Sequence, residues 1–237
     1  MLYLVPTPVG NLEDITLRAL RILKEVHLIA CEDTRTSGVL LDHYGIPTPR
    51  ASYHDHNERQ RAPQFIARMQ AGESIALITD AGTPGISDPG FYLVRACHEA
   101  GLPVVALPGP TAFVPALVAS GLPAERFVFE GFLPVKKGRK TRVDALREEV
   151  RTMIFYESPH RLVKTLALLE ATFGGSRPAA VAREVSKKFE EVRRGDLATL
   201  RTHYESQDKV RGELVLVVGG IGGRERREAS NPDQEDD

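Results

Sequence analysis

Ile75-Ala76-Leu77-Ile78-Thr79-Asp80-Ala81-Gly82-Thr83-Pro84-Gly85-Ile86-Ser87-Asp88-Pro89-Gly90 starts as an apolar run, then breaks into a loop rich in glycine and proline ahead of the amphipathic stretch Phe91 to Ala100. Glycine lets backbone N–H groups approach a ligand, and proline fixes the path of a loop. Ordinary strand-to-helix connections run about 2–6 residues, so a connector this long reads as a ligand loop. Asp80 stands at the carboxyl end of the expected strand, where open α/β sheets hold ligands. Aspartate also braces helix starts and turns, which is the plainer role for it.

Outward from that loop, the first half alternates strand and helix patterns. Strands are expected at Leu2 to Val5, Val26 to Ala30, Ile75 to Ile78 and Val104 to Leu107. Helices are expected around Thr16 to Lys24, Thr36 to Tyr44 and Glu58 to Ala71. Such alternation predicts a mainly parallel sheet covered by helices, an α/β fold. Pro108-Gly109-Pro110-Thr111 closes this half, giving a domain over 1–113 and a helical connection over 114–120. A second α/β domain over 121–220 is expected to hold strands at Phe127 to Glu130, Thr152 to Tyr156, Ala179 to Arg183, Phe189 to Arg193 and Glu213 to Val218. Its helices are placed around Arg142 to Val150, Arg161 to Thr172 and Leu197 to Tyr204. From Ile221 the chain combines glycine and charge without apolar period, so 221–237 reads as a disordered tail.

With 237 residues, 42% hydrophobic and 27% charged, the chain can bury a real core. Cys31 and Cys97 are too few for a disulfide framework or a thiolate metal site, and Met1 to Val5 runs into Pro6 without a basic start. The apolar runs fall far short of the ~20 residues a membrane span needs. A cytoplasmic protein without membrane insertion is expected. The net charge of −1 conceals two basic clusters, Lys136, Lys137, Arg139, Lys140 and Arg142, and Lys187, Lys188, Arg193 and Arg194. These are either solvated faces or nucleic-acid contacts. Gly138-Arg139-Lys140-Thr141 lacks the spacing of a phosphate loop, and no helix is expected after Gly219-Gly220-Ile221-Gly222-Gly223, which disfavours an ATPase or an ordinary dinucleotide fold. His54-Asp55-His56 lacks the further ligands of a strong metal site, and no metal is expected.

Several segments fall in one order: Pro6-Thr7-Pro8-Val9-Gly10-Asn11-Leu12, Cys31-Glu32-Asp33-Thr34-Arg35, the loop from Asp80 to Gly90, and Pro108-Gly109-Pro110-Thr111-Ala112. Phe129-Glu130-Gly131-Phe132-Leu133-Pro134, Tyr156-Glu157-Ser158-Pro159-His160-Arg161 and Gly212-Glu213 follow. In this order they resemble the tetrapyrrole-methylase-like superfamily and, within it, the ribosomal RNA small-subunit methyltransferase I family, over residues 1 to about 219. The resemblance implies two α/β domains with S-adenosyl-L-methionine in the cleft between them, a homodimer, and 2′-O-methylation of a cytidine ribose in small-subunit ribosomal RNA, free or assembled. Carried over, the donor contacts are Pro8, Gly10, Asp80, Thr83, Ile86, Thr111 and Ala112, with Phe155 or Tyr156, Ala182 and Gly212 as the second-domain wall. Many members of that RNA family continue past the last strand with a helical extension that this chain replaces with a short acidic tail.

A donor carrying adenine, ribose and sulfonium needs close backbone approach, a few polar anchors and an apolar wall. The acceptor hydroxyl must be aimed at the methyl carbon and lose its proton. Candidate bases are Glu32, Asp33, Glu157, His160 and Glu184, and the expected acceptor-side residues are Glu32, Asp33 and Arg35, followed by Glu157, His160 and Arg161. The plainer role for either trio is helix capping, by Asp33 or Thr34 and by Ser158 with Pro159. Phosphate contacts are expected from Arg35, Lys136, Lys137, Arg139, Lys140, Arg161, Arg183, Lys187 and Lys188, with a strength that falls with salt. Two rival functions stand beside this one: a small-molecule, tetrapyrrole-type methyltransferase, and a non-catalytic ribosome-binding protein that keeps the fold.

Overall fold

The structure, a computed structural model, describes residues 1–222. The chain divides into two compact units, Met1–Thr111 and a second from Ala112 onward.

In the first unit, β1 (Leu2–Leu4), β2 (Leu28–Cys31), β3 (Arg50–Ser52), β4 (Ile75–Ile78) and β5 (Val104–Ala106) form one sheet in the order β3-β2-β4-β1-β5. Every pairing is parallel. Strands buried on both faces read as continuous apolar runs, and β2 and β4 are buried at every residue. One face carries α1 (Leu17–Glu25) and α2 (Thr34–His43), whose Ile22, Leu23, Leu40 and Leu41 pack with Ile29, Ala76 and Ile78. The other carries α3 (Glu58–Gln70) and α4 (Phe91–Glu99), whose Phe65, Met69 and Leu93 pack with Leu28, Ala30, Ile75 and Leu77. Thr16 caps α1 by accepting from the Ala19 N–H, and Asp33 caps α2 by accepting from the Arg35 N–H.

In the second unit, α5 (Phe113–Ser120) comes first, then β6 (Phe127–Phe132), α6 (Arg139–Ala145), β7 (Thr152–Glu157), α7 (Leu162–Phe173), β8 (Pro178–Arg183), β9 (Glu191–Asp196), α8 (Leu197–Glu205) and β10 (Leu214–Val218). The sheet order is β6-β7-β10-β8-β9, mixed: β6 and β7 run parallel and the remaining pairs antiparallel. One face meets α6, α7 and α8 around Phe155, Leu162, Leu166, Leu169 and Leu216. The opposite face meets α5 through Ala116 and Leu117 against Ile154, Ala182, Val215 and Val217. The helix expected as a connection is therefore a layer of the second unit.

Three local readings shift. β3 is not signalled by the sequence, because a three-residue edge strand reading Arg-Ala-Ser needs no apolar run. α6 starts at Arg139, just after Gly138, and ends at Ala145 instead of spanning 142–150. β9 starts at Glu191 instead of Phe189, because its pairing with β8 sets Arg183 opposite Glu191 and leaves Phe189 exposed. At the end of the second unit, the Ile221 N–H donates to the Glu149 carbonyl at 2.8 Å. The rest of the expected tail, from Gly223, lies outside the described residues. Among the described residues no helix is long and apolar enough to cross a membrane.

Candidate active site

At the carboxyl edge of the first sheet, three loops are tied to one another. Thr7 and Gly82 exchange both backbone hydrogen bonds at 2.9 Å, and the Thr7 hydroxyl donates to the Thr79 carbonyl at 2.9 Å. The Thr83 hydroxyl donates to the Pro110 carbonyl at 3.1 Å. Pro6 lies so close over Gly109 that a Cβ there would sit 2.7 Å from the proline's own Cβ. Pro8, Gly10, Asp80, Thr83, Ile86 and Thr111 are thus carried on one braced loop system following β1, β4 and β5. The Thr111 hydroxyl oxygen is shielded from solvent and has no hydrogen-bond partner among the described residues, which leaves a polar anchor available to a ligand.

Beside these loops lies an acidic edge. The Asp33 N–H donates to Asp80 Oδ1 at 3.2 Å, joining the end of β2 to the end of β4. Among the described residues Glu32, Asp80 and Asp88 form no ion pair with lysine or arginine, and each is pushed up in pKa. Burial is the leading cause for all three. Next comes the Asp80 charge for Glu32; for Asp80 the Asp33 N–H bond pulls down before the Asp33 charge pushes up; and the Glu32 and Asp80 charges follow for Asp88, which reaches about 7. Asp33 behaves oppositely: the exposed Arg35 guanidinium grips it at 2.8 Å and 3.2 Å and holds it down at about 2. Asp33 is therefore a cap and ion-pair partner, ill suited to take up a proton at neutral pH. Asp88 is the site residue that sequence reasoning passed over. Its position in the glycine/proline loop was the available signal, but nothing local reveals that Glu32 and Asp80 face it. Among the described residues no three His, Cys, Asp or Glu side chains converge to hold a metal ion.

In the second unit the trio from Glu157 is built differently. Glu157 is buried at the end of β7. Its Oε1 accepts from Arg161 Nε at 2.7 Å and from the Ser158 N–H at 2.8 Å, while its Oε2 accepts from the Thr165 hydroxyl and lies 3.4 Å from Arg139. Both oxygens are occupied, so this carboxylate closes a buried network. Arg139 and Arg161, expected to face phosphate, turn inward to it. His160 is exposed in the turn Ser158–Arg161, and α7 begins only at Leu162.

Phe155 points into the core beside α7, so of the two wall candidates it is Tyr156 that shares a face with Ala112 and Ala182. Gly212 has φ +89°, and a Cβ on it would fall 2.5 Å from Glu184 Cγ. Its glycine is explained by Glu184, whose carboxylate accepts from the Glu213 N–H at 2.8 Å and from Lys187 at 3.1 Å. Those bonds hold the Glu184 carboxyl below its ordinary range, the Glu213 N–H contributing most. Of the expected phosphate contacts, Lys187 is paired with Glu184 and Glu213, Arg183 with Glu191, and Lys140 with Asp144. Lys136, Lys137 and Lys188 are exposed and form no ion pair among the described residues.

Residues 1–201 match the family model of Tetrapyrrole (Corrin/Porphyrin) Methylases. A Pseudomonas aeruginosa protein called ribosomal RNA small subunit methyltransferase I is 54% identical over 92% of this chain and 78% of its own length. The protein of that name from Escherichia coli O157:H7 is 51% identical over 92% of this chain and 77% of its own. Among solved structures, a uroporphyrin-III C-methyltransferase from Thermus thermophilus complexed with S-adenyl homocysteine shares the fold at 22% identity and a TM-score of 0.63, over 92% of this chain and 96% of that one. The braced loops, the two sheets and the identity over nearly the whole described chain agree: the protein belongs to the tetrapyrrole methylases and, within them, to the ribosomal RNA small subunit methyltransferase I family.

Proposed function

We propose that this protein transfers a methyl group from S-adenosylmethionine to the 2′-hydroxyl of a cytidine ribose in small-subunit ribosomal RNA, acting as a homodimer in the cytoplasm. The observation that carries this reading is the 51–54% identity to ribosomal RNA small subunit methyltransferases I over nine-tenths of the chain. The residues present fit the donor. The Thr111 hydroxyl has no partner among the described residues, Gly109 permits close backbone packing, and the acidic edge suits a cation. The proposed contacts are Pro8, Gly10, Asp80, Thr83, Ile86 and Thr111 in the first unit, and Ala112, Tyr156, Ala182 and Gly212 in the second. When bound, S-adenosylmethionine supplies an electrophilic methyl on a sulfonium centre.

The chain's own residues handle charge and protons. Asp80, fixed by the Asp33 N–H, presents negative charge at the loop. Asp88 exchanges a proton near neutral pH because burial and its acidic neighbours have moved its pKa to about 7, where a general base is most effective. The Glu32 charge is one of those that push the Asp88 carboxyl up. Lys136, Lys137 and Lys188 provide the salt-sensitive phosphate contacts.

The test is methyl transfer from labelled S-adenosylmethionine to small ribosomal subunits and to their naked RNA, both lacking native methylation, with nuclease mapping of the label. One labelled 2′-O position is expected. No label with donor binding intact would move the protein to small-molecule methylation, and RNA binding without donor binding would make it a non-catalytic ribosome-binding protein.

A further inference from the structure

β6 is interrupted by a bulge: Phe129 pairs with Ile154, but Gly131 pairs with Phe155 and Phe132 with Tyr156. One extra residue changes which face the following side chains take. Here it turns Phe132 to the side of Phe129 and Tyr156. The result is a continuous row of rings within the second unit. Phe113 lies 6.2 Å from Phe127 and 4.7 Å from Phe129, Phe129 lies 5.1 Å from Tyr156, and Tyr156 lies 5.5 Å from Phe132. Glu130, at the bulge, is held by a two-pronged ion pair with Arg142 at 2.7 and 2.9 Å, which neutralises its charge.

The row ends in solvent. Phe132 is 56% exposed and Val135 is 70% exposed. Lys136 and Lys137 follow at once, exposed and without ion pairs among the described residues. Arg139 is committed to Glu157 and Lys140 to Asp144, so among the described residues these two lysines are the unpaired positive charge of the segment. An exposed ring backed by a second ring and edged by unneutralised cations matches a nucleobase stacked beside its own phosphate. A protein partner would be served by a larger apolar patch with fewer free charges.

We propose that Phe132, supported by Tyr156, is a stacking platform for an unpaired base of the RNA substrate, with Lys136 and Lys137 holding the adjoining phosphates. This rests on the RNA reading above and specifies which surface of the second unit grips the strand. The probe is a fluorescein-labelled, cytidine-containing single-stranded oligoribonucleotide of ~10 nucleotides, within the site sizes such grooves cover. Its binding is followed by anisotropy at several salt concentrations.

Phe132→Ala should weaken binding about tenfold or more with an unchanged salt slope, and Phe132→Trp should restore it. Lys136→Gln with Lys137→Gln should instead flatten the slope of log K against log salt by about 1.4, the loss of two single-strand phosphate contacts. Thermal midpoints within about 2 °C of wild type show that the variants remain folded. Equal affinity of Phe132→Ala and wild type would overturn the platform, as would failure of the wild type to bind the oligonucleotide. A drop in sedimenting mass for Phe132→Ala at unchanged affinity would assign the ring to a protein interface. Methyl transfer on whole subunits, measured alongside, separates the two claims. Activity with no effect of Phe132→Ala sinks only the platform, while ring-dependent binding without methyl transfer sinks only the enzymatic reading.

Discussion

Glu157 in the second unit and Asp88 in the first are both withdrawn from water, yet their surroundings assign them opposite work. Glu157 meets two arginines, a hydroxyl and a backbone N–H, so every lone pair facing the protein is used. Asp88 has burial and then the charges of Glu32 and Asp80 acting on it, which push its pKa up to about 7. Burial removes solvation from both, and the sign of the neighbouring charge decides whether the group stays ionised as a brace or keeps its proton toward neutral pH.

The largest effect should come from breaking the brace. Glu157→Ala strands Arg139 and Arg161, whose side chains are 14% and 20% exposed. Removing one partner of such a buried network costs about 3–5 kcal/mol, to be read from denaturant unfolding. Full stability with lost methyl transfer would place Glu157 at the acceptor and collapse the contrast.

Next, Asp80→Asn keeps an oxygen for the Asp33 N–H and removes the charge. Donor affinity in calorimetry should fall about tenfold, the equivalent of ~1.4 kcal/mol, with the thermal midpoint unchanged or raised. A lowered midpoint instead would make Asp80 a brace of the same kind as Glu157.

The smallest effect sharpens the comparison through pH. The unfolded Asp88 carboxyl ionises near its ordinary value of 3.8, whereas the folded one holds its proton until about 7. Between those values the folded state binds more protons than the unfolded one, so this group's contribution makes stability fall as pH rises. Asp88→Asn should therefore raise the melting temperature at pH 8 by about 2 °C, a modest gain because solvent still screens the carboxyl, and the difference should vanish near pH 4. A pH-independent difference would mean that Asp88 is not held protonated by its neighbours.

Much of the fold was legible before any coordinates. The apolar runs of β2 and β4 mark a sheet covered on both sides, and Thr16 and Asp33 stand at their helix starts as side-chain caps. The long loop after β4 was legible because glycine and proline constrain the backbone where they stand. β3 escaped detection because an edge strand can be short and polar, and β9 was displaced because its register is fixed by a partner strand and not by its own residues.

The site was legible as a set of loops and illegible as a set of charges. Lys136, Lys140 and Arg139 look alike in a basic run, but among the described residues one forms no ion pair, one pairs with Asp144 and one reaches Glu157 at the end of β7. The sequence by itself determined where the chain turns, caps and extends, because those preferences act among neighbours along the chain. Only the tertiary structure decided which carboxylates are paired, which raise one another, and that a bulge aligns Phe132 with Tyr156. Each of those outcomes is a distance between residues from different elements, and the strength of an electrostatic or ring contact depends on that distance rather than on local propensity.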